Sequence, residues 1–192
     1  MYNELFSKLL KALNNIGKKP IMAYGGYESI ILCNTNSPAR LYGVAQSVGY
    51  GEYRAITPVG GGMPVNKYYF LPTHCRMRFD DVARILSEHG YFSASKSEKE
   101  HALDYYRDIC NCGICHEIIR DDINGFSTYN DSIPYTVKTR NGILTKNRPT
   151  TDATLIAAIH FLNCKVFEWN YIENENLSTV LDNLKSCYAQ YQ

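Results

Sequence analysis

The feature that most constrains the fold is a run of three cysteines in the spacing C-x-C-x-x-C, namely Cys110, Cys112 and Cys115. Thiolates bind Zn²⁺ at about 2.3 Å, and a structural zinc site takes four tetrahedral ligands. The two-residue gap lets a turn direct two sulfurs at one point, and Gly113 within the gap can adopt the backbone angles of such a turn. Because one loop supplies only three ligands, the fold must bring a fourth from another part of the chain.

The alternatives to a metal site are ordinary buried thiols or a disulfide. The segment from Met1 to Glu4 lacks the basic start and the apolar run of a secretory signal, so we expect a cytoplasmic protein with reduced thiols. The seven cysteines are also an odd number, which argues against a complete disulfide framework. These observations favour zinc over both alternatives.

Three residues are candidates for the fourth ligand. The strongest predicted helix runs from Ala153 to about Tyr171, and its His160 and Cys164 are four residues apart, so they share one face. The third candidate, His116, directly follows Cys115, where its backbone makes joint tetrahedral ligation awkward. We expect the helical histidine, His160, to complete the site, with Cys164 and His116 as the alternatives.

Composition limits the other function classes. The chain has 192 residues, of which 45% are hydrophobic and 20% charged, as in an ordinary globular protein. Its net charge of +1 gives no overall basic field for nucleic acid, so any polyanion site must be local. No apolar run approaches the ~20 residues of a membrane span, so we expect no membrane partner.

The N-terminal part predicts helices alternating with strands, which is typical of a parallel sheet in an α/β fold. Gly25 and Gly26 follow the first predicted strand, where ligands approach the backbone in such sheets; a tight turn alone is the alternative. Residues 49–64 are rich in glycine but match no phosphate-loop pattern, so they form either a loop over a pocket or a surface connection. The predicted elements are a helix over Tyr2–Ile16 and strand-like segments at Pro20–Tyr24, Ser29–Cys33 and Arg40–Ala45.

Basic side chains lie around the next predicted strand, Lys67–Pro72. Arg76 and Arg78 follow its end, and arginine suits phosphate because its planar fork offers paired donors. We therefore predict that Lys67, Arg76 and Arg78 bind nucleic acid, with surface ion pairs as the alternative for the arginines.

The remaining chain is predicted to be mainly helical. Residues 120–149 are polar and read as an insertion with a short hairpin around Tyr135–Val137 and Ile143–Leu144. The predicted helices are Asp80–Ser87, Lys99–Ile109, Ala153–Tyr171 and a closing helix from Asn176 to Tyr188.

With these residues assembled, the chain resembles the C-terminal part of the tRNA-guanine transglycosylase superfamily. That group covers queuine and archaeosine tRNA-ribosyltransferases and their DNA-modifying relatives, and it has a C-x-C-x-x-C motif followed by a zinc-binding histidine on a helix. The resemblance extends over most of residues 20–171. The matching segments are the cysteine run with Ala158-Ile159-His160-Phe161-Leu162, Tyr24-Gly25-Gly26-Tyr27, Arg40-Leu41-Tyr42-Gly43-Val44, and Lys67 to Pro72.

The resemblance implies a partial TIM-barrel-like (β/α) unit over residues 1–100 and a zinc-binding helical subdomain over 101–192, with the insertion at 120–149. A complete (β/α)₈ barrel takes about 250 residues, so this chain cannot close one and also form a zinc subdomain. We therefore expect a partner chain, or a homo-oligomer, to cover the exposed sheet edges. The zinc would be structural, since four protein ligands leave no open position.

The resemblance also implies a pentosyltransferase activity. A carboxylate attacks the ribose C1′, guanine leaves, and a 7-deazaguanine takes its place in tRNA or DNA. Gly25, Gly26 and Tyr27 would bind the base. The family's nucleophilic aspartate lies in a phrase like F-D-x-x-x-P-T-R, whereas this chain has Tyr68 ahead of Pro72-Thr73.

Asp80 and Glu52 are the nearest stand-ins for the missing nucleophile, although neither lies in a matching phrase. The function predicted is thus a transglycosylase-type component that is incomplete alone. The alternative from another class is a non-catalytic zinc module that binds nucleic acid or a catalytic partner. A small metal-dependent hydrolase is a third hypothesis, and it requires an open zinc site.

Overall fold

The computed structural model describes residues 2–23, 25–45, 67–140 and 142–191. Tyr24, Glu52 and the glycine-rich residues 49–64 lie outside the described residues. The helices are α1 (Tyr2–Asn15), α2 (Tyr27–Ile31), α3 (Phe79–Glu88), α4 (Glu98–Asp108), α5 (Gly113–Ile119), α6 (Thr151–Asn174) and α7 (Leu177–Tyr191). The strands are β1 (Ile21–Ala23), β2 (Gly43–Ala45), β3 (Lys67–Phe70), β4 (Cys75–Arg78), β5 (Ser132–Thr139) and β6 (Gly142–Pro149), and two 3₁₀ helices span Leu71–Thr73 and Ile123–Asn130.

The chain divides into two compact units, one formed by Met1–Val59 with Lys165–Gln192 and the other by Gly60–Cys164. The first unit is discontinuous, because the C-terminal residues join the N-terminal segment. The sequence analysis instead predicted two domains that follow one another along the chain, with their boundary at residue 100.

The first unit contains a short β-α-β unit. Strands β1 and β2 pair in parallel, with Ile21 opposite Gly43 and Ala23 opposite Ala45, so the predicted parallel pairing is confirmed. The connecting segment corrects one prediction, because Ser29 to Ile31 belong to helix α2 and the chain turns at Leu32 and Cys33. A parallel pair needs a crossover rather than a tight hairpin, and a helix supplies it.

Helix α2 packs its apolar residues against the C-terminal helices within the first unit. Tyr27, Ile30 and Ile31 form a buried cluster with Ile172 of α6 and Val180 of α7. The spacing i, i+3, i+4 of the α2 residues is that of one helical face, which is why an apolar run that resembles a strand is stable as a helix here. The buried Asn34 amide then donates to the carbonyl oxygens of Ile172 and Glu175 at 2.6 and 3.1 Å.

The second unit begins with an antiparallel hairpin. In the register of β3 and β4, Tyr68 lies opposite Met77 and Tyr69 opposite Arg76. The sequence predicted that Arg76 and Arg78 follow the end of a strand, and in the structure both lie in the next strand, β4, which pairs with it. Pro72 ends the first strand, and the 3₁₀ turn that follows, with His74 in the left-handed region at φ 54°, reverses the chain.

Part of the predicted insertion is core. The 3₁₀ helix Ile123–Asn130 buries Ile123, Phe126 and Tyr129, each about as inaccessible as the centre of β3. The insertion proper is therefore the hairpin β5–β6, which is longer than predicted and pairs from Ser132 opposite Pro149 to Thr139 opposite Gly142. Helix α6 follows directly, and the Thr150 hydroxyl caps it by accepting from the Ala153 N–H at 3.0 Å.

The described residues thus form a mixed α/β protein with three two-stranded sheets and no closed barrel. Among the strands that the structure describes, only the β1–β2 pair is parallel. No helix among the described residues is both long and apolar enough to cross a bilayer.

Candidate metal centre

Three segments of the second unit converge on one buried point. The turn after α4 contributes Cys110 and Cys112, the first turn of α5 contributes Cys115, and α6 contributes His160. Helix α4 is positioned by a capping box, in which the Ser97 hydroxyl accepts from the Glu100 N–H and the Glu100 carboxylate accepts from the Ser97 N–H. Cys112 is itself the N-cap residue of α5, so the cysteine run links two helices directly.

The distances from the histidine nitrogen to the three sulfurs are close to those of a tetrahedral site. His160 Nδ1 lies 3.4 Å from Cys112 Sγ, 3.5 Å from Cys115 Sγ and 4.0 Å from Cys110 Sγ. All four ligand atoms lie within 4.8 Å of one another. With Zn–S near 2.3 Å and Zn–N near 2.05 Å, tetrahedral angles place sulfur and nitrogen about 3.6 Å apart. The four residues can therefore hold a metal ion.

The orientation of His160 is fixed from the opposite side of its ring. Nε2 lies 2.8 Å from the carbonyl oxygen of Tyr69 in β3, and this hydrogen bond requires the proton to be on Nε2. In the neutral imidazole, Nδ1 then has its lone pair free and directed at the three sulfurs. Metal-binding histidines commonly donate their second N–H to a carbonyl in this way.

Burial and charge oppose each other in this cluster. Burial disfavours the His160 imidazolium, but hydrogen bonds to Cys112 and Cys115 outweigh it and raise the His160 pKa to about 10. The hydrogen bond from Cys110 to Cys112 lowers the Cys112 pKa, whereas burial raises the pKa of Cys115. A metal ion bound at this cluster would compete with protons for the thiolates and for Nδ1 of His160.

Tyrosine side chains surround Cys115, and sequence analysis missed them. The hydroxyls of Tyr105 and Tyr129 each lie 3.4 Å from Cys115 Sγ. The Tyr68 hydroxyl contacts the Tyr105 hydroxyl, and the Tyr68 ring stacks on His160 with 4.3 Å between ring centroids. Burial raises the pKa of Tyr68 and Tyr105, so both phenols stay protonated and can donate.

The two alternative ligands take different positions. His116 is exposed, contacts the Asn111 side chain and stacks on Tyr106 at 3.9 Å between centroids. Cys164 is buried, with its sulfur 3.8 Å from both Cys110 Sγ and His160 Nδ1. It adjoins the cluster but is not one of the four residues whose ligand atoms all lie within 4.8 Å of one another.

The predicted nucleic-acid-binding residues share one face of the β3–β4 hairpin. Lys67 lies opposite Arg78 in the register, and Arg76 is two residues before Arg78, so the three side chains point to the same side. The Arg76 guanidinium lies over the Phe161 ring, 3.7 Å from its centroid. We call these three residues the hairpin strip.

Of the two predicted nucleophiles, only Asp80 lies in the described residues. It lies in the first turn of α3, is exposed, and forms an ion pair with Arg78 at 3.5 Å. The ion pair that was the alternative for the arginines is therefore present for Arg78.

The predicted base-binding residues belong to the first unit. A Cβ at Gly25 would lie 2.5 Å from Ser29 Cβ and 2.7 Å from Val44 Cγ1, so close packing of α2 on β2 requires glycine there. Gly26 is the N-cap residue of α2, and the Tyr27 ring is buried. Their role in binding a base stays a prediction.

Fold and site together define a mixed α/β protein with a buried Cys₃His cluster that can hold a metal ion. Neither the models of known protein families, nor curated proteins, nor solved structures give a match to this chain. The functional assignment therefore depends on the geometry of the site and on the residues themselves.

Proposed function

We propose that this chain is a zinc-stabilised component of a transglycosylase-type system that exchanges guanine for a 7-deazaguanine in tRNA or DNA. The observation behind the proposal is the convergence of Cys110, Cys112, Cys115 and His160, the four residues on which the family resemblance chiefly depends. The short β-α-β unit with Gly25 and Gly26 after its first strand also agrees with the resemblance.

The metal that suits the cluster is Zn²⁺ in a structural role. Three thiolates and one imidazole form a soft tetrahedral donor set, which is typical of zinc. The hydrogen bonds to Tyr69, Tyr105 and Tyr129 supply the outer contacts that orient such ligands. Four protein ligands leave no coordination position for water, which argues against the metal-dependent hydrolase.

Base exchange needs a nucleophile, and the described residues offer a weak one. Asp80 is exposed and forms a surface ion pair with Arg78, whereas covalent catalysis by a carboxylate takes place in an enclosed site. We therefore propose that a partner chain, or a second copy, supplies the missing catalytic half, and that this chain alone does not exchange guanine.

A base-exchange assay tests this function. The purified chain is incubated with labelled guanine and with tRNA or DNA, alone and with the products of neighbouring genes. We expect incorporation only when a partner is present. The variant Asp80→Asn should abolish exchange if Asp80 is the nucleophile. The matched control is Asp121→Asn, because Asp121 is also exposed and also forms an ion pair, in its case with Lys99. Efficient exchange by the isolated chain that survives Asp80→Asn would contradict both the partner and the nucleophile.

The second candidate is a non-catalytic zinc module that binds nucleic acid. The observation favouring it is the hairpin strip, which lies on the strand pair whose Tyr69 carbonyl anchors His160. In this case zinc would fix the binding surface rather than a catalytic site.

The double variant Lys67→Ala/Arg78→Ala should weaken binding to nucleic acid. Each lost phosphate contact lowers the slope of log K against log salt by about 0.9, so we expect a change of about 1.8 for two contacts. Arg76 is left in place because its guanidinium packs on Phe161, and its removal would also disturb the core. If the double variant binds nucleic acid with unchanged affinity and salt slope, the hairpin strip does not contact nucleic acid.

A further inference from the structure

The hairpin β5–β6 concentrates positive charge. Residues 132–149 contain Lys138, Arg140, Lys146 and Arg148 and no aspartate or glutamate. The whole chain has a net charge of only +1, so these four cations leave −3 on all other residues. A local basic segment on a nearly neutral chain is the kind of site that a polyanion would select.

The cations extend along the whole hairpin. In the register, Lys146 lies opposite Tyr135 and Arg148 opposite Ile133, so both cations point to one face, while Lys138 points to the other and Arg140 lies in the turn. Lys138, Arg140 and Arg148 are exposed and Lys146 is half-buried. None of the four forms an ion pair with a described residue, although the Arg148 guanidinium lies 5.9 Å from the centroid of the Tyr135 ring.

Both ends of the hairpin are fixed near the metal centre. The Thr150 N–H donates to the Asp131 carbonyl at 2.9 Å and closes the base. Just before this base lies Tyr129, whose hydroxyl contacts Cys115, and just after it begins α6, which contains His160. The hairpin is thus a largely exposed two-stranded ribbon whose two ends continue into buried segments of the same unit.

We infer that the β5–β6 ribbon is a binding arm for duplex DNA that enters the major groove. Two strands about 4.8 Å apart with their side chains fit a groove about 12 Å wide, and eight residues at about 3.4 Å each give a length near 27 Å. Basic side chains on both faces and at the tip would then reach the phosphates on either side of the groove. Exposed Ile133 and Leu144, on the same face as Lys146 and Arg148, suit contacts with thymine methyl groups.

The same geometry disfavours duplex RNA, whose major groove is deep, narrow and closed to side chains. The inference therefore narrows the partner in the proposed function from tRNA or DNA to DNA. Because DNA binding requires no catalysis, binding by the ribbon can be tested independently of base exchange.

The test measures binding of the full chain to three ligands by fluorescence anisotropy. The ligands are a random duplex DNA about two helical turns long, a duplex RNA of the same length, and anionic phospholipid vesicles. The variant is Lys146→Ala/Arg148→Ala. Its matched control is Arg84→Ala/Lys99→Ala, which removes two exposed cations from helices α3 and α4 of the same unit. Thermal melting and zinc content establish that both variants fold.

We expect the chain to bind duplex DNA more tightly than duplex RNA. The ribbon variant should lose at least about tenfold in DNA affinity at about 50 mM salt, and its salt slope should fall by about 1.8, while the control should change little. Unchanged DNA binding in the folded ribbon variant would overturn the inference, and so would equal affinity for duplex RNA or a preference for vesicles. If the ribbon variant loses DNA binding but no partner supports base exchange, the ribbon is upheld and the transglycosylase function fails.

Discussion

Replacing Cys112 by serine is expected to remove the metal and to unfold the second unit in a single step. The wild-type protein, purified without chelator, should contain one zinc per chain. Structural zinc contributes apparent binding energies of about 10–16 kcal/mol in small metal-dependent domains, and this is folding energy because the unfolded chain has no preformed site. Whole domains are stable by only about 5–15 kcal/mol, so loss of the metal exceeds what the remaining contacts can offset.

The measurements are metal content by elemental analysis and thermal unfolding followed by circular dichroism. Cys187→Ser is the matched control, because Cys187 lies in α7 and is not one of the four residues of the cluster. It should keep both the zinc and the wild-type melting transition. Wild-type protein without zinc, or a Cys112→Ser variant that melts like the wild type, would contradict the metal site.

The sequence predicted most helices and the site because their signals are local or chemically specific. Helices α1, α3, α4, α6 and α7 each run for ten or more residues, and the predicted bounds agree with the structure within a few residues. The cysteine run needs one more ligand, and few residues in the chain can supply it. This requirement linked residue 110 to residue 160 across 50 positions without any knowledge of the fold.

Short segments were predicted less well, since their conformation depends on tertiary contacts. The apolar run at Ser29–Cys33 suits a strand or a buried helix equally, and packing on Ile172 and Val180 decides for the helix. The sequence predicted no strand for Cys75 to Arg78, because Pro72 ends the strand before them, but the 3₁₀ turn reverses the chain and these residues form β4. Strand pairing depends on residues that are distant in the sequence, so a local sequence pattern does not predict it.

The tyrosines around Cys115 come from three separate elements and have no common spacing. The only signal was the total of 16 tyrosines, which indicates no position. Tyr129 lay in a stretch interpreted as a polar insertion, yet it is buried beside the metal centre. The tyrosine count indicated no function, and only the three-dimensional arrangement places Tyr68, Tyr105 and Tyr129 around Cys115.

Replacing His160 by alanine is expected to weaken zinc binding far more than replacing Cys164 by serine. His160 supplies Nδ1 to the cluster, and its Nε2 bond to the Tyr69 carbonyl fixes the ring, so the alanine variant loses a ligand and leaves a buried carbonyl without its donor. Changes to outer-shell partners alone typically cost 10–100-fold in metal affinity, so we expect a loss above about 100-fold. Cys164→Ser keeps the shape of the side chain next to the cluster and should stay within about tenfold of the wild type.

Competition with a chromophoric chelator measures both affinities, and the result decides the fourth ligand. The helical spacing of four residues places His160 and Cys164 on one face of α6, so sequence alone left both open. In the structure, Nδ1 of His160 lies 3.4 and 3.5 Å from Cys112 Sγ and Cys115 Sγ and belongs to the group of four ligand atoms. The Cys164 sulfur lies 3.8 Å from Cys110 Sγ but is not part of that group. A Cys164→Ser variant that loses zinc while His160→Ala retains it would assign the fourth position to Cys164 and leave the three-cysteine part of the site intact.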